Sequence, residues 1–270
     1  MTQRAAIVGR LTSRARPGIW AAVLLGPAAL MIGAGMVLPA IQTARLSVLS
    51  PDGRQFVGLS NFGWVLTSPN ARQALANSLA WALAVPMASV ILGLALALAV
   101  HRMRRRSLPL ALLAMPMAMS YVGTCVAWLW LQPRSTPALM AIMTWVLAGL
   151  ALLLLGAAIA AIPADILQAA QLDGAQGWLL LFRVILPMIK DTLVVCLAVV
   201  AILAVRAFDI VRVTTNGADG TGVLASEQAI QAFDQAESGR ASALAVVLLA
   251  IAAPAIAWGA RRMRRGWDVR

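Results

Sequence analysis

The sequence predicts an all-α integral membrane protein with about six transmembrane helices and both termini in the cytoplasm. Of its 270 residues, 61% are hydrophobic and only 12% are charged, whereas a soluble domain carries roughly 45–50% apolar and about 25% charged residues. The mean hydropathy is +0.84. Long uncharged runs are the third observation, because about twenty apolar residues in a helix cross the roughly 30 Å of hydrocarbon in a bilayer.

Six segments are predicted to cross the membrane and to form one transmembrane domain over residues 19–260. Five of them run for twenty or more residues without a formal charge, and the fifth in order is apolar until Arg206, Asp209 and Arg212 interrupt it near one end. Transmembrane β-strands are alternating segments of about ten residues, so these continuous runs indicate helices. Their approximate bounds are 19–41, 74–100, 108–131, 138–162, 193–213 and 241–260.

The basic residues set the predicted orientation. Fifteen Lys and Arg residues lie on one side of the six-span arrangement, in the segment 1–18, in the two loops on that side and in the tail 261–270. Six arginines are spread over longer loops on the other side. The positive-inside rule places the first side, with both termini, in the cytoplasm. This distribution explains the net charge of +12 and argues against nucleic-acid binding. The first run is too long for the apolar part of a signal peptide, so we expect it to be retained.

The cytoplasmic loop 163–190 carries the strongest functional pattern. Pro163 and Asp165 suit the first turn of a helix, and Gly174 can take the positive φ that ends one. A second amphipathic stretch follows, and Leu186-Pro187 is expected to break it before the fifth span. The residues from 168 to 175 include no Lys or Arg. Small residues favour docking of a protein, while an interfacial helix that rests on lipid headgroups is the alternative.

The loop resembles that of ABC importer permeases, which reads Glu-Ala-Ala, three residues, Gly, nine residues, Ile, one residue, Leu-Pro. Here Gln168-Ala169-Ala170 precedes Gly174, and Leu186-Pro187 follows. The resemblance implies the type I importer permease fold and a coupling helix that docks on a separate ATPase. The implied coupling residues are Gln168, Ala169, Ala170, Asp173, Gly174, Ala175, Phe182, Leu186 and Pro187.

Three other phrases are similar to the carbohydrate branch of that family, the maltose and glycerol-phosphate permease type. They begin at Phe56, Ala207 and Gly239. The resemblance implies a dimer of ATP-binding subunits that holds ATP and Mg, a second permease subunit of different sequence, and an extracytoplasmic solute-binding protein. It also implies a sugar or sugar-like solute and a location in the prokaryotic inner membrane, with lipid as the surrounding solvent. The chain itself is expected to hold no cofactor or metal and to be no enzyme.

Two features depart from the family pattern. Gln168 stands where the family has Glu, so docking there relies on shape and neutral hydrogen bonds instead of an ion pair. The connection 132–137 between the third and fourth spans is shorter than is usual in the family, which weakens any contact with a binding protein at that point.

Ionisable residues at membrane depth are functional candidates. Asn77, Trp128, Arg206 and Asp209 are the candidate residues of a translocation path, where hydrogen bonds and aromatic faces suit a polar solute. The alternative for the charges is local pairing, of Arg206 with Asp209 or of Asp209 with Arg212, at helical spacing.

The sequence also bears on two other functional classes, a membrane enzyme and a secondary transporter. A membrane enzyme is disfavoured because His101 is the only histidine and no metal or nucleophile cluster can be drawn. A secondary, ion-coupled transporter of a small polar solute is the main alternative, although it would need carboxylates at the midplane. The chain has no G-x-x-x-x-G-K-[ST] phosphate loop, so an importer reading requires a separate ATPase.

Overall fold

The computed structural model describes residues 17–128, 134–205 and 207–267, and within these ranges the regular structure is helical. Five helices are long and apolar enough to cross a membrane, and a bent pair provides a sixth span. This confirms the all-α class with about six spans. The first span comprises Pro17–Ile32, a π-helical turn Gly33–Val37 and Leu38–Leu46; the second is Pro69–His101, the fourth Thr136–Ala160 and the sixth Ser238–Trp267.

The third span is broken, although the sequence analysis expected one helix over 108–131. It consists of Ser107–Ala118 and Tyr121–Trp128, whose axes differ by 99°. Pro116 lies in the last turn of the first piece, and Met119 then adopts an extended conformation with ψ of 146°. Pro116 has no N–H to donate to the carbonyl of Leu112 and its ring clashes with that carbonyl, which weakens the helix close to its end. Residues 129–131 lie outside the described ranges.

The fifth span begins earlier and ends earlier than its apolar run 193–213. It comprises Trp178–Leu180, a π-helical turn Leu181–Ile185 and Leu186–Val205. The charged end instead forms a separate short helix, Phe208–Thr214, which carries Asp209 and Arg212. The apolar run from residue 193 to Val205 is too short to cross a membrane by itself. The span reaches the required length because the amphipathic segment that begins at Trp178 precedes this run.

The predicted break at Leu186-Pro187 is wrong. The backbone N–H of Leu186 donates to the carbonyl of Leu181, five residues back, so the chain passes into the next helix without a break. A π-helical turn shifts the hydrogen-bond register and leaves a carbonyl without its usual partner. A proline at the second position of the following helix therefore costs little, because its missing N–H falls at that shift. The loop between the fourth and fifth spans accordingly ends at Gly177 and not at residue 190.

The core lies where the fourth span packs against the second. Gly93 makes this contact close, since a Cβ at this position would meet the side chain of Ala151 and would lie 2.9 Å from the backbone nitrogen of Leu152 and 3.0 Å from the carbonyl oxygen of Ala148. Small residues let transmembrane helices approach in this way. This contact fixes the second and fourth spans relative to each other.

The first span stands apart from this core. The segments Gly33–Val37 and Leu38–Leu46 contain no buried residue, and the main contact of this span is made by Leu38–Leu46 with the sixth span. A Cβ at Gly26, Gly33 or Gly35 would find no atom within 4 Å. Most of the surface of this helix is therefore open to lipid or to another protein.

An asparagine side chain organises one of the loops at the opposite end from the 163–177 loop. Asn61, in the short helix Ser60–Thr67, donates from Nδ2 to the carbonyls of Ser47 and Leu49 at 2.9 and 2.6 Å. The two long loops also meet, because the N–H of Gly239 donates to the carbonyl of Pro51 at 3.2 Å. The phrase that begins at Phe56 therefore includes a residue that holds the loop in shape.

Candidate functional site

The loop between the fourth and fifth spans forms a nine-residue helix, Ala164–Leu172, which we call the loop helix. Gly174 follows it with φ of +86°. The N–H of Ala175 donates to the carbonyl of Ala170 at 2.9 Å, and the N–H of Gly174 donates to that of Gln171 at 3.1 Å. These two bonds with a left-handed glycine are the Schellman motif, which satisfies the last carbonyls of a helix. Gly174 thus sets where the loop helix ends.

The loop helix presents most of its surface to its surroundings. Only Leu167 among its large side chains packs against the core, whereas Ile166 is 42% and Leu172 89% exposed. A helix turns about 100° per residue, so Ile166, Ala169 and Leu172 lie across the side opposite to Leu167. Two large apolar side chains on either side of an alanine make a shallow surface of the kind that a protein groove covers.

The predicted coupling residues do not share one surface. Gln168, Ala169, Asp173 and Gly174 are exposed on or next to the loop helix, and Ala170 and Ala175 are half-buried there. Phe182, Leu186 and Pro187 belong to the fifth span, where Phe182 stacks on Trp178 with ring centroids 5.9 Å apart. The structure therefore divides the set into a loop-helix part and a span part.

Acidic groups of the loop helix are free of ion pairs within the described part of the chain. Asp165 lies in its first turn, where a carboxylate favours the positive end of the helix dipole. Neither Asp165 nor Asp173 has a Lys or Arg nitrogen within 4.0 Å among the described residues. The loop helix thus offers two carboxylates and no basic group to whatever covers it.

A second site lies at the break in the third span. A cavity of about 520 Å³ opens there between the two pieces of that span, the fourth span, the end of the fifth and the short helix after it. Its lining is Met117, Met119, Ser120, Tyr121, Val122, Val146, Leu147, Leu150, Leu203 and Asp209. The first N–H groups of the helix that begins at Tyr121 have no partner within that helix, so this wall carries a partial positive charge.

Asp209 is the charged residue of this cavity lining. It is exposed in the first turn of Phe208–Thr214. Among the described residues it makes no ion pair, so the alternative pairing of Asp209 with Arg212 does not form. Arg206, the other possible partner, lies outside the described residues. A carboxylate in such a cavity accepts hydrogen bonds from hydroxyl groups of a bound molecule.

The structure does not bring Asn77 and Trp128 to this cavity. Asn77 donates from Nδ2 to the carbonyls of Gly220 and Gly222 at 2.8 and 2.7 Å, which ties the second long loop to the second span. Trp128 packs edge-on against Trp145, with ring centroids 5.6 Å apart. Of the four residues predicted for the path, Asp209 alone is placed at the cavity by the described structure.

Several residues of these sites were missed by sequence reasoning. Ser120 and Tyr121 line the cavity because the third span breaks beside them. Pro116 lies four residues before Ser120 and was the sequence signal that could have predicted the break. The exposure of Leu172 could have been predicted from its spacing. It lies five residues after Leu167, which places the two side chains about 140° apart around a helix. Within the described ranges, no group of three or more His, Cys, Asp or Glu residues is placed to hold a metal ion.

Comparison with known proteins agrees with this geometry. Residues 103–263 match the family described as binding-protein-dependent transport system inner membrane component. The chain is 35% identical to the osmoprotective compounds uptake permease protein GgtC of Synechocystis sp., over 88% of this chain and 96% of that protein. It is 31% identical to the alpha-glucoside transport system permease protein AglF of Rhizobium meliloti, over 95% and 84%.

Solved structures share the fold. One protein in the crystal structure of a bacterial ABC transporter involved in the import of the acidic polysaccharide alginate superposes with a TM-score of 0.75 at 19% identity, over 91% of this chain and 96% of that one.

The trehalose transport system permease protein SugA of Mycobacterium tuberculosis is 30% identical over 90% of this chain and 88% of its own length. The chain belongs to the family of inner membrane components of binding-protein-dependent transport systems.

Proposed function

We propose that the chain forms half of the translocation path of an ATP-driven importer for a small sugar or sugar-like solute, in the inner membrane of a prokaryotic cell. As a member of its family the chain is a multi-pass permease component of an ABC importer and not the enzyme that hydrolyses ATP. The observation that carries the proposal is the loop helix, which exposes Ile166, Ala169 and Leu172 on the side opposite to the half-buried Leu167.

The loop helix is the proposed docking element for a dimer of ATP-binding subunits, which would hold ATP and Mg. An apolar surface without Lys or Arg is unsuited to anionic headgroups, so a lipid-resting role is disfavoured. With Gln168 in place of a carboxylate, burial of Leu172 and Ile166 would supply much of the docking energy, at about 1.5–3 kcal/mol for each fully buried side chain. The well-formed end at Gly174 would keep the helix rigid enough to transmit movement.

The cavity at Asp209 is the proposed solute path. Its volume suits a small molecule, since ligand sites usually measure about 300–1,000 Å³. Asp209 and Ser120 would bond hydroxyl groups, and the ring of Tyr121 would contact the apolar face of a sugar. Leu, Val and Met side chains form much of the remaining lining. The broken third span is the type of discontinuous helix that transporters place at a substrate site.

An α-glucoside is the first solute class to test. Two of the relatives are described as carrying alpha-glucoside and trehalose, and a third as carrying osmoprotective compounds. These names belong to those proteins, and the present chain shares about a third of their sequence. A single carboxylate in the cavity fits an uncharged polyol better than an anionic sugar.

A second permease subunit is proposed to cover the first span. That span has no buried residue over 33–46, and Gly26, Gly33 and Gly35 have open space around them. Glycine-rich faces in membranes usually mark helix–helix contacts. The loop that contains Asn61 and the loop that Asn77 holds at Gly220 and Gly222 would face a solute-binding protein, as one alginate transporter has been crystallised with its periplasmic protein.

Co-purification in mild detergent from the native cell tests the proposal. We expect an ATPase and a second membrane subunit to accompany the tagged chain, and the complex to take up an α-glucoside when ATP is supplied. If the chain is isolated alone and uptake follows an ion gradient without ATP, the secondary-transporter alternative replaces it.

A further inference from the structure

A long apolar groove lies on the outside of the bundle, between the second span and the beginning of the fifth. Its volume is about 730 Å³. One wall is the second span from Met87 to Arg102 and the other is the segment from Gly177 to Leu197. Arg102 is the charged residue of its lining, and almost all the rest are aliphatic or aromatic. The solute cavity shares no lining residue with it.

The shape of the groove matches one leaflet of a bilayer. Met87 and Arg102 are about 22 Å apart along the helix at 1.5 Å per residue. Half of a bilayer that is about 40–45 Å thick with its headgroup regions is roughly 20–22 Å. The lining is therefore long enough to extend over one leaflet, which would place Arg102 among the headgroups, on the same side as the segment Gly177-Trp178 that follows the loop helix.

The mouth of the groove carries uncompensated positive charge. Arg102, Arg104 and Arg105 are exposed, and among the described residues none of them has a carboxylate oxygen within 4.0 Å. Trp178 and Phe182, which are 75% and 60% exposed, stack beside this mouth. Aromatic side chains at this depth are typical of the boundary between hydrocarbon and headgroups.

We propose that the groove binds an anionic phospholipid, with an acyl chain along the second and fifth spans and the headgroup phosphate at Arg102. Basic pockets between helices on the cytoplasmic side of a membrane select anionic headgroups. A lipid in this position contacts Gly177 and Trp178, the segment that joins the loop helix to the fifth span. It would therefore support the element that we propose to dock on the ATPase.

Photolabelling in nanodiscs tests this inference. The purified full-length chain with its co-purifying subunits is placed in phosphatidylcholine discs with a trace of phosphatidylglycerol that carries a photoreactive acyl chain, and in matched discs with the same label on phosphatidylcholine. We expect the phosphatidylglycerol probe to label peptides from 87–102 and 177–197 in preference to the phosphatidylcholine probe. Arg102→Ala should reduce that preference about fivefold, which corresponds to the roughly 1 kcal/mol that one arginine contributes near an anionic surface.

Two further variants separate the groove from general exposure to lipid. Arg72→Ala removes an exposed arginine at the opposite end of the second span and should leave the preference unchanged. Ala95→Trp fills the groove and should remove the label from 177–197 while the first span keeps its own. Equal labelling by the two probes would overturn the proposal. So would labelling of the groove peptides that is no stronger than labelling of the first span.

Discussion

Replacing Leu172 with Ala separates docking on the ATPase from stability of the fold. Leu172 is 89% exposed and lies on the side of the loop helix away from Leu167. Alanine is the best helix former, so the loop helix itself is not weakened. If a groove of the ATPase buries this side chain, its truncation removes about 2 kcal/mol of binding energy. The expected result is roughly thirtyfold weaker binding of the ATPase, at 1.4 kcal/mol per factor of ten.

The assay is titration of the purified ATPase against the permease held in nanodiscs, together with thermal unfolding of each variant. Gln171→Ala is the matched control, because Gln171 is exposed in the same helix but lies close to the side that Leu167 occupies. It should leave the affinity within a factor of about two, as is usual for a surface substitution. An unchanged affinity in Leu172→Ala would refute the docking surface. A lowered melting temperature would show that Leu172 supports the fold instead.

Three other substitutions test the remaining structure. Gly93→Ala should destabilise the protein by about 1–3 kcal/mol through overpacking, which would lower its melting temperature. Gly156→Ala is the control, because its Cβ would lie 3.9 Å from the nearest neighbour and should fit. Equal melting temperatures for the two variants would contradict the close contact at Gly93. Asp209→Asn should raise the KM for solute about tenfold without changing ATPase binding, because a charged acceptor is lost; an unchanged KM would remove Asp209 from the path. Asn77→Ala should speed hydrogen exchange at 220–224 about tenfold or more by removing two hydrogen bonds, and unchanged exchange would show that the loop is held elsewhere.

Sequence reasoning was strongest where the solvent dictates the structure. Lipid requires long apolar helices, so the number and approximate place of the spans followed from composition alone. The end of the loop helix was also predictable, because a left-handed residue after two turns favours glycine, and Gly174 takes φ of +86°. These are features that one segment determines by itself.

Features that depend on two segments were harder to predict. A proline such as Pro187 usually breaks a helix, but a π-helical turn just before it removes the conflict, and no composition rule identifies such turns. Asn77 was expected in the solute path because it is polar at a helix end. Its partners are carbonyls about 145 residues away in sequence, which only the folded chain brings to it.

The break in the third span shows the same limit. The sequence predicted one helix over 108–131, and the finding that Ser120 and Tyr121 face a cavity required the positions of the fourth and fifth spans. Asp209 reached that cavity because the chain leaves the fifth span at Val205 and starts a new helix. The candidates for the path stay predictions, and only the tertiary structure places Asp209 at this cavity and Asn77 elsewhere.

The most direct test of the central claim is uptake of a labelled α-glucoside by proteoliposomes that contain the complex co-purified with this chain. We predict uptake that requires ATP and the solute-binding protein, persists when ion gradients are collapsed, and falls in Leu172→Ala. Uptake that needs no ATP and stops when the ion gradient is collapsed would contradict the account.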